Sequence, residues 1–146
     1  AHDGGVSRGE ISETNLRNMP WEDLTKGYIT SQFYTVAINP YTTDDFIMGG
    51  MQDNSTFSTN SSSNTVDWMP RWTGDGAFCA VSKDYQYFYV SSQIGSLYRT
   101  DYSTTGNYIR FTNIQPATVP DSLYLFINPF VLDPNDDKVM YLAGGR

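Results

Sequence analysis

The side chains that could do chemistry sit in three short polar segments: Gln52-Asp53-Asn54, Gly74-Asp75-Gly76 and Gln93-Ile94-Gly95. Carboxamides and carboxylates at the close of apolar strands have two uses. They can bond neighbouring backbone where sheets meet, satisfying N–H and C=O groups that would otherwise stay bare. They can also line a mouth and contact a glycan or a peptide. Gln52, Asp53, Asn54, Asp75 and Gln93 are therefore the candidate ligand-binding residues, and the structural use is the alternative for each. Gly74-Asp75-Gly76 does not read as a phosphate cradle, because no helix follows it. Trp68, Trp72, Tyr85, Tyr87 and Tyr102 offer flat faces that stack on sugars or plug a core.

Other chemistries lack their parts. Cys79 is the sole cysteine, so no internal disulfide forms. It lies in the apolar run Ala77–Val81 and reads as a small buried hydrophobe. The sole histidine is His2, so neither a Ser-His-Asp triad nor a Cys-His pair is supplied, and no zinc set or nucleotide loop is visible. No metal and no cofactor are expected. Sixteen Asp and Glu against nine Lys and Arg give a net charge of −7. That balance argues against nucleic acid or an anionic membrane as partner, since both need a basic face. It reads instead as solubility. No stretch approaches the roughly twenty apolar residues of a membrane span, and no signal peptide is visible. The first residue is Ala1 rather than Met, so the sequence is expected to begin after processing or inside a longer gene.

The elements that must position these residues repeat. Phe33–Asn39 alternates and is rich in aromatic and β-branched residues; it turns at Asn39-Pro40 into Phe46–Met48, which ends in Gly49-Gly50. Phe78–Val81 turns through Ser82-Lys83-Asp84 into Tyr87–Ser91, and Ile127–Pro134 leads into Lys138–Gly145 in the same way. The starts lie roughly 45–50 residues apart, the period of a β-propeller blade. Ser55–Thr59 with Val66–Trp72, and Ser96–Thr100 with Tyr108–Ile114, supply third and fourth strands for two whole units. Asp101–Asn107 reads as the loop inside the second. Trp21–Leu24 reads as a short strand with an aromatic anchor. Helix signals are nearly absent. The fold class is all-β: consecutive four-stranded antiparallel blades. Residues 1–30 read as outer strands of a preceding blade, 31–73 and 74–116 as whole blades, and 117–146 as inner strands of a following one. All belong to one domain, a partial ring.

The run Asp3-Gly4-Gly5-Val6-Ser7-Arg8, the Trp21-x-x-Leu24 strand, Thr30–Ala37 and Gly49–Asn54 resemble secreted propellers with sialidase-type (BNR, Asp-box) repeats. These include sortilin-like domains and xyloglucanase-type propellers of Bacteroidetes-type bacteria. The resemblance implies a ring of seven or eight blades and an extracellular or cell-surface bacterial protein. It further implies partners among the remaining blades or further copies of the chain, and a glycan or cell-surface protein as ligand. Thr100–Tyr108 keeps the elements of an Asp box with residues inserted, while Ser12–Trp21 does not. By analogy with the xyloglucanases, Asp3 beside its Gly-Gly turn is the one catalytic candidate. Glycoside hydrolysis needs two carboxylates about 5–10 Å apart, and no partner for Asp3 is identifiable.

The expected function is thus a non-catalytic extracellular propeller segment, working as a scaffold or as a recognition surface for glycan or protein. The alternative is a fragment of a carbohydrate-active propeller enzyme, a glycoside hydrolase.

Overall fold

The computed structural model describes residues 5–11, 18–27, 31–63 and 65–144. The chain divides into two compact units, residues 1–31 and 32–146. In the first, β1 (Ser7–Gly9) pairs antiparallel with β2 (Trp21–Asp23), with Arg8 opposite Glu22. Their side chains form an ion pair at 2.5 Å, and the Leu24 N–H extends the pairing to the Val6 carbonyl. Trp21, expected as an anchor, is 65% exposed.

The second unit is all-β, with one short 3-10 turn at Asp121–Leu123 and no α-helix among the described residues. Four strands form the first sheet as a simple meander: β3 (Phe33–Ile38), β4 (Phe46–Met51), β5 (Thr56–Asn60) and β6 (Met69–Trp72). A second meander follows: β7 (Cys79–Val81), β8 (Tyr87–Ser91), β9 (Leu97–Tyr102) and β10 (Tyr108–Asn113). A hairpin of β11 (Phe130–Leu132) and β12 (Met140–Leu142) closes the described chain. All pairings between these strands are antiparallel. Pro70, which cannot donate to a ladder, lies in an edge strand as its chemistry requires. Strand β9 runs through Asp101 and Tyr102, which the sequence places in a loop. Pairing with Tyr108 and Arg110 across the turn carries the ladder that far.

Alternation sorts the side chains of each strand onto two faces. Phe46 and Met48 of β4 meet Cys79 and Val81 of β7 and Phe88 and Val90 of β8 in one core, so the first sheet lies on the second. Tyr89, Leu97 and Phe130 form another core with Ala80, Leu132 and Met140 packed around it, so the hairpin lies on the opposite face of the second sheet. Both faces of β8 are thus covered, which is why Tyr87-Phe88-Tyr89-Val90 reads as an unbroken apolar run. Burying a side chain such as Met48, fully buried here, stabilises by about 1.5–3 kcal/mol.

The first strands of the three sheets are neighbours: β7 touches β3 and β4 on one side and β11 on the other. Their turns meet at one end. The Asn39 amide donates to the carbonyls of Ser82 and Lys83, and the Lys83 N–H donates to Asp137 Oδ2 at 2.6 Å. Tyr41 Oη reaches past them to donate to the Pro134 carbonyl at 2.6 Å, while Lys83 Nζ sits 4.2 Å above the Tyr41 ring. Each turn is also closed locally by its leading polar residue, as such side chains do. Asn39 Oδ1 accepts from the Tyr41 N–H, Ser82 Oγ from the Tyr87 N–H, and Asp133 Oδ1 from the Asn135 N–H. Among the described residues no helix is long and apolar enough to cross a membrane.

Candidate functional site

At the other end of the strands, three of the five candidate residues come together. Strand β4 leaves into Gln52-Asp53-Asn54-Ser55, with Asp53 and Ser55 at positive φ, and the Met51 N–H closes the turn on the Ser55 carbonyl. The incoming segment to β7 lies beside it. The Ser55 N–H donates to the Gly74 carbonyl at 2.8 Å, the Gly76 N–H to the Met51 carbonyl at 3.0 Å, and Ser55 bridges to Asp75. Asp75 is the hub. Its Oδ1 accepts the Asp53 N–H at 2.5 Å, and its Oδ2 accepts from Gln93 Nε2. Gln93 Oε1 in turn accepts from Ser92 Oγ. One carboxylate therefore joins the exit turn of the first sheet to the exit turn of the second.

Asp75 is only 6% exposed. A charge so placed needs hydrogen bonds to replace water, and the backbone amide and the carboxamide supply them. Both of its oxygens are engaged inside the protein. Gln52 and Asn54 are half-buried, and their side chains make no hydrogen bond among the described residues. The junction is tight enough to exclude side chains. A Cβ on Gly50 would fall 2.0 Å from the Ala77 carbonyl oxygen, and one on Gly76 would fall 2.1 Å from that of Ser55. Thr35 Oγ1 adds a bond to the Ala77 carbonyl at 2.8 Å. The next exit turn repeats the scheme without a carboxylate: the Ile94 N–H donates to the Phe126 carbonyl and Gln93 bridges to Ile127. Asn128, fully buried, there binds the Leu125 N–H and the Ala143 carbonyl.

The remaining candidates divide. Asp3 lies outside the described residues. Cys79 is buried, and burial pushes its thiol up to about 11, so it carries no thiolate at neutral pH. Trp72 stacks on Tyr98 at 4.4 Å and on Phe111 at 4.9 Å, tying β6 of the first sheet to β9 and β10 of the second. Tyr85 meets Phe46 edge-on at 5.1 Å, and Tyr102 meets Phe88 in the same way at 5.2 Å. These rings pack on other rings and are only partly exposed. Tyr87 carries the Arg99 guanidinium over its ring at 4.7 Å. Trp68, tilted against Phe33 at 6.1 Å, keeps over a third of its surface exposed.

Two arrangements carry no local sequence signal. Asp101, 4% exposed, takes Arg99 Nε at 2.6 Å and Arg110 Nε at 2.6 Å. Burial pushes its carboxyl up, but the hydrogen bonds and charges of the two guanidinia outweigh that and hold it below the usual carboxylate range. It is thus spent on two arginines rather than on the turn amides that an Asp box would offer. Arg71, on β6, belongs to none of the ion pairs among the described residues. It lies between the two four-stranded sheets, over Phe88. Among the described residues no group of three or more His, Cys, Asp or Glu side chains gathers as a metal would require. Compared with protein-family models, curated proteins and solved structures, the chain has no match.

Proposed function

We propose that the chain is a run of consecutive blades of a secreted bacterial β-propeller, part of a seven- or eight-bladed ring, acting as a non-catalytic scaffold and recognition surface for glycan or protein. The observation that carries this reading is the serial stacking. Two four-stranded meanders and a hairpin lie sheet on sheet with their first strands adjacent, and the outermost faces stay apolar. On the first sheet Val36 is 58% and Ile38 62% exposed; on the hairpin Val131 is 55% and Tyr141 57% exposed. Apolar faces of this kind mark contact surfaces. The remaining blades of one ring, or further copies of the chain, are the partners that suit them. The engagement of Asp75 and Gln93 within the sheet junction supports a scaffold over a catalytic site there.

Two measurements test the reading. In sedimentation velocity the isolated chain is expected to self-associate as concentration rises; a dilute, stable monomer at every concentration overturns the open-stack reading. On a polysaccharide and glycan panel, saturable binding without hydrolysis is expected. Hydrolysis that disappears in Asp3→Asn would replace this reading with that of a carbohydrate-active enzyme fragment.

A further inference from the structure

Between the two four-stranded sheets lies a cavity of about 280 Å³, lined by Phe46, Met69, Phe88 and Tyr102 around Arg71. The guanidinium is fixed on two sides. Its Nε donates to the buried Ser58 Oγ at 2.7 Å and its Nη1 to Tyr102 Oη at 3.1 Å. Its carbon lies 4.4 Å above the Phe88 ring and 5.7 Å from that of Tyr102. Hydroxyls and ring faces orient a guanidinium but leave its charge uncompensated by any ion pair among the described residues. The fork has five N–H groups; among the described residues Nε and Nη1 donate to Ser58 and Tyr102, and Nη2 has no hydrogen-bond partner. Arg99 and Arg110 show the contrast: both close on Asp101.

We propose that this cavity binds a small carboxylate with an apolar body. A planar, immobilised guanidinium matches a carboxylate with paired, charge-assisted hydrogen bonds, while Phe46, Met69 and Phe88 cover the hydrocarbon part. Such sites combine an apolar lining with a few fixed polar groups. A free organic acid and the end of a peptide chain both present this chemistry. The lining comes from the two four-stranded sheets and their own turns.

Ligand-observed NMR relaxation on the intact chain tests it, with 3-phenylpropionate and N-acetyl-leucine as probes and their amides as uncharged counterparts. At least one acid is expected to bind saturably at neutral pH, with its amide about tenfold weaker or worse, the usual effect of losing a charged hydrogen bond. Arg71→Met is expected to erase the acid's advantage, Arg71→Lys to keep part of it, and Lys26→Met, an exposed control of equal charge change, to leave it intact. The stronger acid of the two identifies the source as a chain end or a free acid. Equal binding of acids and amides, binding by neither acid, or unchanged binding in a folded Arg71→Met overturns the proposal. If Arg71→Met does not fold, the contrast of acid with amide on the natural chain decides alone.

Discussion

The two four-stranded sheets share one topology and differ in what lies on them. The second is covered on both faces, by the first sheet and by the β11–β12 hairpin. The first is covered on one: Phe46 and Met48 are buried, while Val36, Ile38 and Ile47, on the opposite face, are exposed. The pattern of apolar residues is nevertheless much the same in both. The charged groups differ as well. The second sheet holds Asp101 between two arginines, whereas the first holds Arg71 against rings and hydroxyls.

Substitution on the two faces of β4 and β3 breaks or confirms this contrast most directly. Met48→Ala removes a side chain packed between sheets, and the loss expected in chemical denaturation is about 2–5 kcal/mol. A value near zero would mean that the sheets do not stack as described. A smaller effect is expected from pH. The Asp101 carboxyl is held low in the folded chain, so its stabilisation is complete above the ordinary carboxylate value and is lost as pH falls through the folded value. Asp101→Asn is therefore expected to flatten part of the acid limb of stability against pH; an unchanged limb would place the acid sensitivity elsewhere. Least of all is expected from Val36→Ser, within about 0.5 kcal/mol for a bare position in the isolated chain. A cost of the same order as Met48→Ala, rising with protein concentration, would show that the face is already covered by another copy.

The strands were legible in the sequence because alternation and turn chemistry are local. Asn39-Pro40 and Asp133-Pro134 announce their turns, and Asn39 and Asp133 close them through their own side chains. The polar exit turns were legible as a repeat, and Asp53, Asp75 and Gln93 do meet. Their engagement with one another was not, because it depends on how one sheet lies on the next. The same holds for Arg71. Nothing in Pro70-Arg71-Trp72 shows that Phe88 and Tyr102, from another sheet, come beneath and beside its guanidinium. The strand boundary at Asp101 was missed for a related reason. A carboxylate in a Thr-Asp-Tyr-Ser run suits a turn, and it is tolerable inside the ladder because Arg99 on its own strand and Arg110 on the partner strand both close on it.

Gly50 lies against the Ala77 carbonyl with no room for a methyl group. Main chain there meets main chain, so at this end the approach of the first two sheets is set by peptide geometry and leaves no room for a larger side chain at Gly50. At the far margin side chains rather than main chain make the contact, where Trp72, Tyr98 and Phe111 stack. The junction behaves like the spine of a book, where the binding holds the leaves at a fixed distance.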